Sequence, residues 1–217
     1  MKRSTLTLVL LPLLLLGGCS APDEPTVPLY AAVQRGDIDQ LERHIYWDTD
    51  INQPFPSGRY PLHDAAEKGR IIMLGMLIRN GAELEANDAA GRTALDLAVL
   101  NGRTQAAEVL IKAGARLDSS SLLLEAALRG VEDRDIVRFL KSQGADLDAT
   151  DEQGNTALMI ATSRGNHRLA HHLVEQGADL QLRNEDGQSA LDIASERGAL
   201  EIQEFLLRNG AAITAPQ

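Results

Sequence analysis

The sequence contains very little cysteine and lacks the common motifs of catalysis. Cys19 is the only cysteine among 217 residues. A lone cysteine cannot form a disulfide within the chain, so packing alone must hold the fold. The sequence has no phosphate-binding glycine loop, no nucleophile elbow and no H-E-x-x-H zinc motif. We therefore expect no enzyme activity, no cofactor and no small-molecule substrate.

Basic residues are scarce relative to acidic ones. The chain carries 21 Lys and Arg against 31 Asp and Glu, a formal net charge of −10. Proteins gain affinity for nucleic acid phosphates when Lys and Arg displace counterions. An acidic protein gains nothing in that way, and it is not attracted to anionic lipid either. The composition therefore argues against nucleic acid as a partner.

The sequence also lacks a long hydrophobic run. Its longest apolar segment, Leu6–Leu16, has 11 residues, is interrupted by Pro12 and follows the basic pair Lys2 and Arg3. A transmembrane helix needs roughly 20 apolar residues. A basic start followed by a short apolar run is typical of a secretory signal peptide.

The segment after this run resembles the lipobox of bacterial lipoproteins. It reads Leu-Gly-Gly-Cys at 16–19. The resemblance implies removal of residues 1–18, acylation of Cys19 and membrane attachment through a tether at 19–26. Ser20 stands where the family's sorting rules treat aspartate as an inner-membrane signal, which implies the outer membrane, facing the periplasm. The alternative is an ordinary signal peptide or a truncated membrane anchor, with Cys19 incidental.

From Val27 onward the sequence repeats itself, most often with a period of 33 residues. In each unit a short alanine-rich segment ends at a glycine, as in PLHDAAEKG at 61–69. An amphipathic segment follows, as in IIMLGMLIRNG at 71–81, with apolar residues on one helical stripe. This pattern predicts two helices per unit. One such pair cannot bury its apolar face alone, so the units must stack into a solenoid.

These units resemble ankyrin repeats. The family's T-P-L-H-x-A-A signature is approximated by YPLHDAA at 60–66, TALDLAV at 93–99, TALMIAT at 156–162 and SALDIAS at 189–195. The resemblance implies an all-α solenoid of about six helix-turn-helix repeats, joined by hairpin loops called fingers. The expected repeat boundaries are 27–54, 55–87, 88–118, 119–150, 151–183 and 184–213. The domain would then occupy residues 27–213.

The register of the repeats predicts which side chains form the core. The expected core residues are Leu74, Leu77, Val109, Leu110, Phe139, Leu173 and Leu206. His63 occupies the histidine position of the family signature, and the resemblance implies that it bonds backbone between repeats.

The segment NHRLAHH at 166–172 is the nearest approach to a metal site. His167 and His171 are four residues apart, so one helical face holds both. However, the register directs His167, His171 and His172 in different directions, without an obvious carboxylate or cysteine partner. Surface and packing roles are therefore the preferred interpretation, and we expect no metal.

Basic residues recur just before the first glycine of the repeats. The six residues at this position, named the ladder below, are Arg35, Lys68, Asn101, Arg129, Arg164 and Arg197. Stacking would align them along the concave face of the solenoid. A cation near a helix C-terminus is favourable by about 0.3–1 kcal/mol, which explains the pattern without a partner. A positive strip suited to an acidic partner is the compatible alternative.

The repeat period breaks once, between the third and fourth units. Five finger residues are missing between Leu117 and Leu122, and two extra residues follow Gly130. Drift in a tolerant loop accounts for this. The alternative is a partner-binding notch beside Leu100 and Leu128, both of which we expect to face solvent.

These observations predict a lipid-anchored module that binds another protein through inner helices and fingers, centred on repeats two to four. Two narrower roles implied by resemblance stay open: an immunity protein that neutralises a periplasm-delivered toxin such as a lipase, or a stress-response helper of a periplasmic enzyme such as catalase. The residues expected to contact the partner are Phe55, Arg59, Lys68, Arg92, Leu100, Asn101, Leu128, Arg129, Arg164 and Arg197, with Ser57, Glu67, Asn155 and Gln188 beside them.

Overall fold

The fold consists of paired helices stacked in chain order. The structure is a computed structural model and describes residues 21–131 and 134–212. Within those ranges it has twelve helices: α1 Leu29–Arg35, α2 Ile38–Tyr46, α3 Pro61–Glu67, α4 Ile71–Arg79, α5 Ala94–Leu100, α6 Thr104–Lys112, α7 Ser119–Arg129, α8 Arg134–Ser142, α9 Ala157–Ser163, α10 His167–Glu175, α11 Ala190–Arg197 and α12 Leu200–Arg208. Odd-numbered helices pack on one another as an inner layer, and even-numbered helices form an outer layer. The predicted all-α solenoid is confirmed.

Inner helices approach closely because their facing residues are small. Ala32, Ala65, Ala98, Ala161 and Ala194 are completely buried where successive inner helices meet. Burying a methyl group instead of a long side chain also costs little rotamer entropy. Each inner helix then turns directly into an outer helix, so every pair presents an apolar face to the next.

Most of the predicted core residues are confirmed. Five leucines on outer helices are buried: Leu74, Leu77, Leu110, Leu173 and Leu206. Val109 and Phe139 are only partly buried, because they lie at the edge of the apolar stripe and pack against the core from its rim. None of the helices in the described part of the chain is long and apolar enough to cross a membrane.

Helix ends follow local sequence signals. Pro61 begins α3, where its missing N–H would have no helical partner. Gly81 follows the end of α4 with φ of 84°, a left-handed conformation that side chains with a Cβ resist. Thr93 and Asp96 form a reciprocal capping box at the start of α5, and Ser189 and Asp192 form another at the start of α11.

Candidate partner-binding groove

The ladder residues all lie at the C-terminal ends of inner helices and are exposed. Three of them are engaged within the protein. Lys68 donates to the carbonyl of Gln34 at 3.2 Å, Asn101 donates to the carbonyl of Leu97 at 2.8 Å, and Arg129 pairs with Glu125 at 2.7 Å. These contacts fit the helix-capping interpretation.

The other three ladder residues have no such contacts within the described part of the protein. Arg35, Arg164 and Arg197 make no side-chain hydrogen bond or ion pair with any described residue. Arg164 and Arg197 lie on neighbouring helices, α9 and α11, and both line the same depression. Two unpaired guanidinium groups in one groove are available to carboxylates of a partner.

This depression, called the groove below, has a volume of 410 Å³ and lies across repeats four to six. Its apolar floor is formed by buried side chains of inner helices, Met159, Ile160 and Ile193. Leu128 at the end of α7 stands at its edge with 45% of its surface exposed. An apolar floor with an exposed leucine and charged groups around it resembles the centre of a protein interface.

Two fingers form the wall of the groove and are hydrogen-bonded to each other. The Asp151 carboxylate accepts from the N–H groups of Gln153 and Asn155 at 3.0 and 2.8 Å, which folds the fifth finger. Asn184 of the next finger donates to the side-chain oxygen of Asn155 at 2.9 Å. The N–H of Glu185 also donates to the carbonyl of Gln153 at 3.1 Å. The wall is therefore a bonded pair of loops and not two independent ones.

The groove also contains acidic groups. Asp151, Asp186 and Glu196 line it together with the two arginines. Glu196 already has a hydrogen-bond partner within the protein, because the Gln188 side-chain amide donates to both of its carboxylate oxygens at 2.8 Å. The groove therefore offers both signs of charge, and complementary charge fixes the register of a partner more than it adds raw affinity.

Several predicted contact residues serve the fold instead. Phe55 is 8% exposed and packs edge-to-face against Tyr30 at 6.3 Å. Leu100 was expected to face solvent, and this expectation is wrong: it is 8% exposed and belongs to the hydrophobic core at the end of α5. Leu128, at the same position in α7, does face solvent.

Two predicted arginine anchors are held by carboxylates of their own repeat. Arg59 pairs with Asp64 at 3.3 Å and Glu67 at 2.9 Å. Arg92 donates to Asp88 from two guanidinium nitrogens, at 3.0 and 2.7 Å. A partner would have to break these pairs to use either guanidinium, so the first three repeats offer fewer available groups than repeats five and six.

A family model described as ankyrin repeats (3 copies) matches residues 29–121 and again residues 123–217. The chain belongs to the ankyrin-repeat family. Members of this family generally bind other proteins and have no catalytic activity of their own. Two successive matches to a three-repeat model fit an array of six repeats.

Solved structures resemble the ankyrin array over most of its length. A chain in the structure of the Bd0816 predatory endopeptidase from Bdellovibrio bacteriovorus in complex with immunity protein Bd3460 is 29% identical, with a TM-score of 0.68. The match covers 83% of this chain and 96% of that one. The ankyrin repeat domain of Bcl-3, a member of the IkappaB protein family, is 26% identical with a TM-score of 0.71, covering 88% and 89%. A comparison with curated protein sequences gives no match.

His63 has the structural role expected from the ankyrin signature. Its Nε2 donates to the carbonyl of Arg92 in the next repeat at 2.9 Å. Its Nδ1 accepts from the N–H of Tyr60 at 3.3 Å. Both bonds require a neutral ring protonated on Nε2, and burial lowers the pKa of His63 in agreement with this.

The missing finger of the ankyrin array is replaced by helix. No finger turn lies between α6 and α7 among the described residues, and α7 has 11 residues where α5 and α9 have seven. Asp118 starts α7 by accepting from the N–H of Ser121 at 3.1 Å. An aspartate before a helix is a readable N-cap signal, so the sequence alone contained this information. The two extra residues, 132 and 133, lie outside the described residues.

The three histidines of α10 do have carboxylate neighbours, contrary to the sequence-based expectation. His167 lies 3.4 Å from Glu201, and both His171 and His172 approach Glu175, at 3.8 and 3.5 Å. Glu201 lies on a different helix and was not readable from the local pattern, whereas the spacing of Glu175 from His171 and His172 was. His167 is exposed. Within the described ranges, no group of three or more His, Cys, Asp or Glu is placed to hold a metal ion.

The segment that follows the predicted lipid site is bonded to the first repeat where it is described. Cys19 lies outside the described residues, but residues 21–28 run along α2. The N–H of Thr26 donates to Gln40 at 2.8 Å, and the carbonyl of Val27 bonds the His44 ring at 2.8 Å. From Pro22 onward this segment is therefore held against the first repeat, while its role as a tether to the membrane stays a prediction.

Proposed function

We propose that this ankyrin array is a lipid-anchored periplasmic immunity protein that binds and blocks a secreted hydrolase. The groove across repeats four to six carries the proposal. It combines an apolar floor, the exposed Leu128 and the unpaired Arg164 and Arg197. The neighbouring solved complex of an endopeptidase with an immunity protein favours this role over that of a stress-response helper.

The groove suits a carboxylate-bearing loop of the hydrolase. Arginines near an apolar floor give bidentate hydrogen bonds where water is excluded, and such groups dominate interface energies. The bonded fingers hold the groove's wall before the partner arrives, so little ordering entropy is lost on binding. A blocked active site requires a rigid inhibitor, and a stacked array supplies one.

Binding through the groove predicts a specific pattern of variants. Changing Arg164 and Arg197 to Glu should raise the inhibition constant for the target hydrolase at least about tenfold, because each guanidinium then becomes a repulsive carboxylate. Inhibition is measured with purified array and hydrolase. Glu108→Lys with Glu204→Lys, both exposed on outer helices, is the control and should inhibit like the unmodified array. Loss of inhibition in the control, with the groove variant unaffected, would contradict this location.

The anchor is tested separately. Changing Cys19 to Ala should leave an unlipidated precursor that partitions into the aqueous phase of a detergent separation. The proposal rests on the lipobox-like segment at 16–19 and on the outer-membrane sorting implied by Ser20. Metabolic labelling with a palmitate analogue measures acylation directly. Equal labelling of the variant and the natural sequence would show that Cys19 is not the attachment residue.

A further inference from the structure

The first repeat exposes an aromatic pair that the rest of the array lacks. Tyr46 ends α2 and is 58% exposed, and Trp47 follows it at 46% exposed. Their rings meet edge-to-face with centroids 5.9 Å apart and an interplanar angle of 73°. Terminal repeats of a solenoid normally present a polar outer surface to remain soluble. The exposed pair Tyr46 and Trp47 departs from this polar pattern.

The repeat geometry itself does not require aromatics there. The residues that end the other five outer helices are Arg79, Lys112, Ser142, Glu175 and Arg208. The residues that follow them are Asn80, Ala113, Gln143, Gln176 and Asn209. All are polar or small, in the same place relative to the helix end. Tyr46 and Trp47 are thus additions specific to the first repeat.

This pair lies beside the segment that leads to the proposed anchor. The indole Nε1 of Trp47 donates to the carbonyl of Pro22 at 3.2 Å. The bonds of Thr26 and Val27 to α2 hold the following residues against the same helix. Pro22 is three positions after Cys19, and an extended chain spans at most about 3.6 Å per residue. Cys19 therefore lies within about 11 Å of Pro22 along the chain, whatever its conformation.

We propose that Tyr46 and Trp47 form a membrane-contact surface that rests in the headgroup region of the bilayer holding the lipid on Cys19. This inference rests on the proposed anchoring. Trp and Tyr are enriched at membrane interfaces because their rings combine an apolar body with a polar end. The flanking carboxylates Asp23, Glu24 and Asp48 would be repelled by anionic lipid, so the lipid under this surface is zwitterionic, such as phosphatidylethanolamine.

Such a contact orients the whole array. Packed helices lie about 8–10 Å apart, so four repeat steps place the fifth repeat about 30–40 Å from the first. With the first repeat on the membrane, the groove points away from the bilayer and is open to a partner enzyme. An array held only by a flexible tether would have no fixed orientation.

Trp47 is the only tryptophan in the chain, so its fluorescence reports on this surface alone. The chain from Cys19 onward retains all twelve described helices and its single thiol. That thiol is coupled to maleimide-bearing lipid in vesicles of phosphatidylethanolamine and phosphatidylcholine. We expect the Trp47 emission maximum to move to shorter wavelength, and quenching by aqueous acrylamide to fall at least about twofold relative to the free chain, because the bilayer covers the indole.

The matched control moves the probe to the far end of the array. Trp47→Asn combined with Asn209→Trp places the single indole at the equivalent position of the last repeat, and it should be quenched equally with and without vesicles. Unchanged quenching of Trp47 on vesicle coupling would overturn the inference. Protection that appears only when the hydrolase is added would also overturn it, and would assign the pair to a protein interface.

Failure of the anchor is distinguishable from failure of the surface. Mass spectrometry of the protein isolated from bacterial membranes reads acylation of Cys19 directly. Absence of acyl chains would overturn the anchoring proposal, whereas the coupled vesicles measure the aromatic contact independently, because there the attachment is chemical.

Discussion

At the scale of single residues, Asp88 shows how one buried carboxylate shapes a finger. Its oxygens accept from the N–H groups of Ala90 and Arg92, at 2.8 and 3.0 Å, and from the Arg92 guanidinium. Burial alone would raise the pKa of Asp88, but these hydrogen bonds outweigh it and lower the pKa from 3.8 to about 2. The ionised form is therefore more stable in the folded protein than in the unfolded chain.

This lowered pKa predicts a pH-dependent contribution to stability. The contribution is complete above pH 3.8, the ordinary value in the unfolded chain, and is lost as the pH falls through about 2. The difference in unfolding free energy between the natural sequence and Asp88→Asn should therefore shrink by about 2 kcal/mol as the pH falls across that window. Urea denaturation of both proteins at a series of pH values measures it.

Asp186→Asn is the control for this prediction. Asp186 is an exposed finger carboxylate, so its replacement should change the unfolding free energy little at any pH. A difference between the natural sequence and Asp88→Asn that stays constant through the acid range would show that the charge of Asp88 does not contribute in this way.

Single residues also show what the sequence can and cannot predict. The bond from His63 to the next repeat was predictable, because its position in the signature determines its surroundings. The pairing of Arg59 with Asp64 and Glu67 was not predicted, although all three belong to one repeat. Side-chain partners depend on where a finger folds back over its helix, and a linear pattern does not contain that geometry.

At the scale of elements, successive repeats are joined by a side chain that accepts a backbone N–H from the next unit. Four pairs do this: Asn52 with Glu83, Glu85 with Arg116, Asp148 with Asp179 and Gln181 with Ala212. A similar bond, from the N–H of Asp146 to Ser120, lies within the fourth repeat. Four pairs span 31 residues and the Ser120 pair spans 26. The longer α7 places Ser120 where a finger residue would otherwise stand. A side-chain to backbone bond thus remains beside the deletion, but within the fourth repeat and not across a junction.

The close approach of the fifth and sixth fingers predicts an effect of one methyl group. Gly154 has φ of 75°, and a Cβ there would lie 3.0 Å from the backbone nitrogen of Glu185. Gly154→Ala should therefore cost about 1–2 kcal/mol for the left-handed backbone and about 1–3 kcal/mol more for the backbone clash. Thermal and urea unfolding measure the loss.

Gly187→Ala separates the two costs. Gly187 has the same φ of 75° but no atom within 4 Å of its Cβ position, so only the conformational cost applies. Equal destabilisation by both variants would show that the close approach of Gly154 to the Glu185 backbone adds no cost. It would also count against a groove wall that is formed before the partner binds.

At the scale of the whole molecule, the period predicted the architecture, whereas the location of the binding site stays a prediction. Alanine and glycine spacing determined the helix pairs, because inner helices need small contacts and turns need left-handed residues. The predicted binding centre, repeats two to four, depended on Leu100 being exposed and on Arg59 and Arg92 being available. Leu100 is buried and Arg59 and Arg92 are paired within the protein, and for this reason we propose repeats four to six as the binding centre.

The most direct test of the central proposal is an amide hydrogen-exchange footprint of the array with and without the secreted hydrolase. Binding through the groove predicts slower exchange in residues 151–164 and 184–197, which contain its fingers and inner helices. The outer helices α2, α4 and α6 should exchange at the same rate in both samples. Protection confined to those outer helices or to the first three repeats, with 151–164 and 184–197 unchanged, would contradict the proposed binding site.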